Sequence, residues 1–526
     1  MADGLLNKAS IILTPTGYKA GTLYNVAPVV EPYEDFDFAR ASVASRVNSS
    51  GLVEMVGRTL GSELVTNGDF SNGTTDWTNA SSDTFEVVDG GVGHSTSLHI
   101  VVSAVNRGAY QSVFVADKTY YVSLDLKVVS GSVYIGKNTR KLNNQNYNNS
   151  DWQTITGYLV AIDDKIRIYS NEASEFYVDN VSVKEVIDTN NIPRISYDSN
   201  GENGHILLEP TSTNLITYSE DFSEWASSNA TLESGFLAPD GSNSAYKVSG
   251  TVGSTTVYFA GVPNLSSTST RTIWARTVSG TGTINLCSYG QNTNNNFTIT
   301  EEWQRFEVNG TTTSTGESNF YAVDFRFEES NPLREVIIWG AQAENLTYAT
   351  SYIPTLTGST VTRAAETLTG SGNSTLINST EGVLYAEIAA LADDSDIKGI
   401  SLGKLGTNVT TNGVAFYFFD NNLRARAYDS DYTLNGGIYF EATKTSINTN
   451  TFYKVAISWD SNGGKMYVDG ALITPTRNLS GYGFAANYFN SLNFYRNSND
   501  VFEGKCKALA VFNEALTDDE LENLTS

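Results

Sequence analysis

The chain has 526 residues, enough for three or four domains at about 150 residues each. Lys and Arg number 33 against 58 Asp and Glu, a net charge of −25, which argues against a nucleic-acid partner, whose phosphates need a basic face, and disfavours an anionic bilayer. Charged residues are only 17%, yet the hydrophobic fraction is 40% and the aromatic fraction 11%, so the chain is not disordered as a whole and its polar, Gly-rich remainder suits strands joined by many turns.

Cys287 and Cys506 stand 219 positions apart in apolar runs, INLCSYG and GKCKALAVF. Two buried free thiols fit them better than a bridge. No apolar stretch reaches the roughly 18 residues of a membrane span, so no membrane insertion is expected. The N-terminus has an early Asp and lacks the apolar core of an export signal. An extracellular-looking composition without an export signal points to a virion protein, made in a host cytoplasm and released by lysis.

Residues 1–61 read as an attachment segment. LTPTGYKAGTLYNVAPVV contains Pro15, Gly17, Gly21 and Pro28, which prevent one long strand or helix. Its apolar set, Ile11, Ile12, Leu13, Tyr18, Leu23, Tyr24, Val26, Val29 and Val30, would be costly to leave in water. The expectation is packing against neighbouring subunits or other virion proteins.

Further along, alternating apolar and polar residues mark half-buried strands at 120–129 (YYVSLDLKVV), 383–391 (VLYAEIAAL) and 453–459 (YKVAISW). Turn signals separate such stretches, among them Asp89-Gly90, Ser130-Gly131, Asn200-Gly201 and Asp240-Gly241. The pattern predicts sandwiches or barrels.

An internal repeat organises the middle of the chain. NGDFSNGTTDWTNAS (67–81) matches SEDFSEWASSNA (219–230), SDWQTITGYL (150–159) matches EEWQRFEVNG (301–310), and FYVDNVSVKEV (176–186) matches VIIWGAQAENL (336–346). Trp303 − Trp152 is 151 and Phe222 − Phe70 is 152, so two copies of one domain are expected at 62–187 and 212–356. These blocks resemble jelly-roll carbohydrate-binding modules, with an opening NGDF…W and a closing apolar-D-x-V strand. The second copy lacks the closing aspartate, reading Trp339-Gly340-Ala341-Gln342.

Residues 357–526 resemble the laminin-G and concanavalin A-like sandwich. The resemblance rests on YKVAISWD (453–460), MYVDG (466–470) and the closing VFNEALTDDELENL (511–524). AFYFFDNNLRARAYD (415–429) reads as a hairpin turning at Asn421-Asn422, and Asp460 to Gly464 as a second turn. In the terminal segment Thr517 is an N-cap, Glu520 completes a capping box and Leu516 staples onto Leu521, which predicts a helix.

The remaining segments resemble motifs of bacteriophage structural proteins. DFARAS (37–42), SRVN (45–48) and GLVE (51–54) precede the first repeat, while IPRISY (192–197), LLEP (207–210) and TNL (213–215) follow it. In such proteins these motifs run on almost directly, so the first jelly roll looks inserted, and 188–211 is a linker completing the N-terminal motif. The resemblance implies a fibre or adhesin, commonly a homotrimer.

Catalytic patterns are missing around His94, His99 and His205, and no acid pair is singled out among the carboxylates. The chain therefore reads as no enzyme. Trp77, Trp152, Trp225 and Trp303 recur at equivalent repeat positions, which favours a shared core role over sugar stacking. Unmatched aromatics, Tyr147, Tyr289, Tyr428 and Tyr432, are the better ligand candidates, with surface tyrosines as the plain alternative. The jelly-roll resemblance implies a structural Ca²⁺ held by Asn67, Asp69 and Asp179, against solvated turn residues as the alternative. The resulting expectation is an all-β chain of tandem β-sandwiches, two jelly rolls plus a concanavalin A-like sandwich, with an extended N-terminal attachment segment. Its function would be a non-enzymatic virion surface protein binding cell-surface glycans. The alternatives are a purely structural head or tail decoration and a polysaccharide depolymerase.

Overall fold

The computed structural model describes residues 4–28, 34–253, 257–261, 265–266, 268–288, 295–310, 319–326, 330–356, 358–393, 395–406, 408–431, 433 and 435–526. Strands hold 49% of the chain and helix 4%, so the all-β reading stands. The chain divides into two units, one of Met1–Gly57, Thr189–Ser212 and Thr362–Ser526, the other of Arg58–Asp188 and Thr213–Val361.

The first unit is a sandwich. One sheet runs in the order Ile195–Ser196, His205–Leu208, Gly504–Phe512, Gly382–Ala390, Tyr453–Asp460, Gly463–Val468, Ala471–Ile473. The other runs Arg477–Asn478, Ile438–Thr445, Asn422–Tyr428, Gly413–Phe419, Lys398–Gly403, Ser491–Asn493. Trp459, Phe416, Leu402 and Leu509 lie in the core between them. The strands at 383–391 and 453–459 are buried on both faces, where alternation predicted one. Their outer residues Val383, Tyr385 and Ala456 are covered by Leu516, Leu521 and Leu524 around the terminal helix Asp518–Thr525. That helix starts as expected, with Thr517 and Glu520 forming a complete capping box. The first hairpin turns one residue earlier than expected. Asp420 and Asn421 take φ of 50° and 57°, as a two-residue hairpin turn with both centres left-handed requires, and Phe419 pairs with Asn422.

The N-terminal segment does not stand apart as an attachment arm. Ala9–Leu13 adds to the first sheet, antiparallel to the last strand, with Ile11 opposite Val511 and Leu13 opposite Leu509. Ile11 and Leu13 enter the core between the sheets, while Ala9 and Ile12 join the cluster under the helix. The apolar run is absorbed by its own chain because the sheet offers one strand edge and the helix covers the strand's outer face. Val29 and Val30 lie outside the described residues. The expected linker is likewise part of the sandwich, through Ile195–Ser196 and His205–Leu208.

The motif segments of this unit meet in a buried ion network. Arg40 donates to Glu366 at 2.6 Å, Arg194 pairs with both Glu366 and Glu209, and Arg363 reaches Glu209 at 2.7 Å. Arg194 also donates to the carbonyl of Ser45 at 2.9 Å and Arg363 to that of Pro210. All five side chains are almost fully buried.

The second unit contains two lobes that share one strand order, to which the first lobe adds Arg58–Glu63 antiparallel to Ser174–Asp188. In the first lobe one sheet runs Gln153–Val160, Thr119–Ser130, Ser174–Asp188, Ser97–Val102, Thr84–Val88; in the second lobe its counterpart runs Gln304–Gly310, Ser269–Arg276, Glu335–Glu344, Ala245–Ser249, Thr231–Phe236. The partner sheets run Arg140–Lys141, Val133–Lys137, Lys165–Ser170, Gly108–Ser112, Thr78–Ala80 and Asn296–Ile299, Gly282–Ser288, Asn319–Asp324, Val257–Gly261, Ala226–Ser228. Thr119–Ser130 alternates buried and half-buried residues as its sequence predicts. The repeat tryptophans match pairwise. Trp77 and Trp225 are buried, pack on Phe70 and Phe222, and donate to the carbonyls of Asn67 and Tyr218. Trp152 and Trp303 are half-buried and tie down the preceding loops through the carbonyls of Gly90 and Leu237. The shared core role thus holds for the first pair, while the second pair serves as loop braces.

Candidate functional site

The two lobes of the second unit meet along a cleft with a cavity of about 130 Å³. The first lobe contributes Arg140 and Lys141 from a short hairpin strand and Tyr158 from the strand Gln153–Val160. The second contributes Tyr218, Glu220 and Asp221 from its opening loop, Asp240 and Ser242 from a turn, and Tyr246 from a strand. The opening loop is held by Asp221, whose carboxylate accepts from the backbone of Ser223 at 3.2 Å and its hydroxyl at 2.7 Å. Asp240 does the same for Ser242, at 2.9 and 2.7 Å. These short-range bonds explain why Asp and Ser fall two apart in both segments.

Glu220 accepts from the hydroxyl of the buried Tyr352 at 3.0 Å. Burial, and then the neighbouring Asp240, push its carboxyl up to about 8, so it is protonated at neutral pH. Burial also raises Asp240 and Tyr158. Tyr158 is 39% exposed, and the Arg58 guanidinium lies 5.9 Å from its ring centroid. Tyr246 lies 3.3 Å from both the Asn143 carbonyl and Asp221, bridging the lobes. The cleft therefore combines an open aromatic ring, hydroxyls, a protonated carboxyl and ionised groups of both signs. Such a lining can stack on an apolar ring face and exchange hydrogen bonds with a ligand that both donates and accepts. A neighbouring hollow of about 170 Å³ shares Asn143 and adds Asn148, Gln153, Thr154 and Asn243. There Ser234 donates to Gln145 across the lobes at 2.6 Å.

The residues singled out from sequence lie elsewhere or at the edge. Tyr147 borders the second hollow, but its body is buried and its hydroxyl donates to the Leu142 carbonyl at 3.2 Å. Tyr428 is a buried strand residue facing Arg496, and no open ring face remains. Tyr147 packs in the apolar core of the first lobe and Tyr428 is buried beside a guanidinium, so neither presents a ring to a sugar. Tyr289 and Tyr432 lie outside the described residues. Asn67 uses its amide on the carbonyls of Gly73 and Thr75, at 2.9 and 2.8 Å, and its side-chain oxygen on Asn72. Asp69 is drawn to its own turn at Ser71, whose N–H and hydroxyl hold its carboxyl below the usual range. Asp179 is buried and lies 3.0 Å from His94. The opening loop does meet the closing strand, since Val181 donates to the Gly68 carbonyl at 2.9 Å. Among the described residues, no group of three or more His, Cys, Asp or Glu gathers to hold a metal.

Sequence reasoning missed the cleft. Glu220 and Asp221 belong to a recognised repeat block and Asp240 to a recognised turn, but nothing in either copy signals that the two lobes share an edge. Two of the three histidines stack on neighbouring rings of the first lobe, His94 on Trp152 at 3.8 Å and His99 on Tyr177 at 4.5 Å.

The concanavalin A-like lectin/glucanases superfamily model matches residues 392–522, within the first unit. No curated protein matches the chain. Among solved structures, the chain is similar to the sialidase module CBM40 of Ruminococcus gnavus bound to alpha2,3 sialyllactose, with 15% identity, 30% of this chain and 94% of that chain covered, and a TM-score of 0.25. It is also similar to the CBM22-1–CBM22-2 tandem of Paenibacillus barcinonensis Xyn10C, at 17% identity over 54% of this chain and 97% of that one, TM-score 0.22. A third similar structure is domain 4 of the Geobacillus stearothermophilus arabinanase AbnA with arabinotriose, at 14% identity, 31% and 73% coverage and TM-score 0.24. At these TM-scores the architecture rests on the strand order above, not on the likenesses.

Proposed function

We propose that the chain is a glycan-binding surface protein whose ligand enters the cleft between the two jelly-roll lobes. The observation that carries this is the lining of one cavity by Tyr158, Tyr218 and Tyr246 together with Glu220, Asp240 and Arg140. Saccharides present apolar ring faces and hydroxyls that donate and accept, and this set answers both. The concanavalin A-like match at 392–522 supports the same class of ligand for the first unit.

The site of action is the surface of a bacteriophage particle, as a fibre or adhesin that docks other virion proteins and forms a homotrimer. The DFARAS, PRISY and LLEP motifs support this, and their Arg40, Arg194 and Glu209 lie in one ion network. Multiple copies on a particle would raise the avidity of weak sites without new contacts.

Glycan-array screening of the full chain, followed by titration of the best oligosaccharide, tests the ligand. Binding that Tyr158→Ala weakens and that Tyr428→Phe leaves alone is the expected result. An array without binders sinks the glycan reading and favours a purely structural decoration. Release of reducing sugar from capsular polysaccharide would establish a depolymerase instead. Immunogold labelling of intact particles checks the location.

A further inference from the structure

The first unit brings a lysine and a glutamate, both largely buried, against the exposed Asn203. Lys507 Nζ, on the last strand, donates to Asn203 Oδ1 at 3.1 Å, one bond from the amide carbon. Glu387 Oε1, on the neighbouring strand, lies 3.7 Å from the same nitrogen. The Lys507 and Glu387 side chains are only 23% and 21% exposed. Nζ sits 4.2 Å from the ring centroid of Phe452, and the His205 ring packs at 5.7 Å on that phenylalanine. Burial holds His205 down at about 4, so no second cation is added there. Asn203 Nδ2 donates to Asp198 at 2.7 Å, which fixes the amide plane.

The geometry points to a self-catalysed amide bond between Lys507 Nζ and Asn203 Cγ, with Glu387 as the proton carrier. Glu387 takes a proton from the Lys507 ammonium, which frees the nitrogen lone pair to attack Cγ. One Nζ proton passes to Nδ2, the tetrahedral carbon collapses, and Nδ2 leaves as ammonia. The ammonia takes the proton held by Glu387 and departs as ammonium, so the carboxylate is restored. One C–N bond forms and one breaks, with no oxidant, reductant or cofactor. The bond would close residues 203–507 into a ring, so that a pull along the chain passes through the link and bypasses everything between. That suits a protein that holds a surface under load.

A second lysine–asparagine contact, Lys141 Nζ to Asn146 Oδ1 at 2.9 Å, has no ion-pair partner among the described residues and serves as an internal control. The full chain is measured by intact mass under denaturing conditions and by peptide sequencing of a protease digest. The expected mass is about 17 Da below the sequence value, the loss of one ammonia. The expected digest contains a branched peptide joining Asn203 to Lys507 and none joining Lys141 to Asn146. Lys507→Arg and Glu387→Gln should each restore the full mass. A wild-type chain at its full mass overturns the proposal. So does a loss of about 17 Da that persists in Lys507→Arg, because a loss independent of the lysine marks a succinimide at an Asn-Gly step such as Asn203-Gly204 and not the cross-link.

Discussion

Glu220 is the residue at which the cleft's chemistry can be read by pH. Its carboxyl titrates near 4.5 when solvated and at about 8 in the folded cleft, raised first by burial and then by Asp240. Below the solvated value both states hold the proton, and the full stabilisation is present. Between the two values only the folded state holds it, so stability falls as pH rises and levels off above about 8. Asp240 shifts in the same direction through its own burial. Thermal melts of the full chain between pH 5 and 9 are therefore expected to show the transition of the jelly-roll unit moving down with rising pH. Glu220→Gln, which keeps the hydrogen-bonding shape without the titration, should flatten most of that slope. A slope unchanged in Glu220→Gln would place the titrating group elsewhere. Tyr158 offers the second residue-scale test. Removing one stacking ring costs about 1 kcal/mol, so Tyr158→Ala should weaken glycan binding roughly five-fold in calorimetric titration.

At the scale of elements, the terminal helix shows how far sequence alone reached. Its cap was legible because capping is local: Thr517 and Glu520 are three apart, and the bond pattern needs nothing else. Thr517→Ala is expected to cost about 1 kcal/mol, read as a lower urea midpoint of the sandwich unit. The repeat was legible too, since Trp77, Trp152, Trp225 and Trp303 hold the same places in two lobes of the same strand order. What could not be read was non-local. ASIIL at 9–13 looks like an orphan apolar run because its partners, Leu509 to Phe512, come some five hundred residues later. The cleft was hidden for the same reason, as Tyr158 and Glu220 sit on separate repeats that meet only in the fold. Ala9–Leu13 is a strand of the sandwich sheet, so an N-terminal deletion removes part of the fold and not a separate attachment arm. Removing the first 28 residues should uncover the edge of Gly504–Phe512 and the apolar face under the helix, and lower solubility sharply. A truncated chain that stays soluble with an unchanged melting curve would return this segment to the role of a detachable arm.

For the whole molecule the governing fact is that the sandwich unit is discontinuous. Its polypeptide leaves at Gly57 and Ser212 and re-enters at Thr189 and Thr362, with a jelly-roll lobe spanning each gap. A unit assembled from three stretches needs a device that recognises all three, and apolar burial alone is poorly selective. The network of Arg40, Arg194, Glu209, Arg363 and Glu366 draws on every one of them. Buried ion pairs of this kind give little net stability against an apolar replacement, yet breaking one strands a charge away from water. Removing Glu366 carries that penalty, because Arg40 and Arg194 both donate to it and the Glu209 backbone N–H does too, at 3.0 Å. Glu366→Ala takes the carboxylate partner from the buried Arg40 and leaves Arg194 and Arg363 sharing Glu209, and should cost about 3–5 kcal/mol. The loss falls on the sandwich unit, whose calorimetric transition should drop while that of the jelly-roll unit keeps its midpoint. Glu366→Gln retains the acceptor oxygen but not the charge, and should fall between the two. If both transitions shift together by the same amount in Glu366→Ala, the three stretches are held by something other than this network.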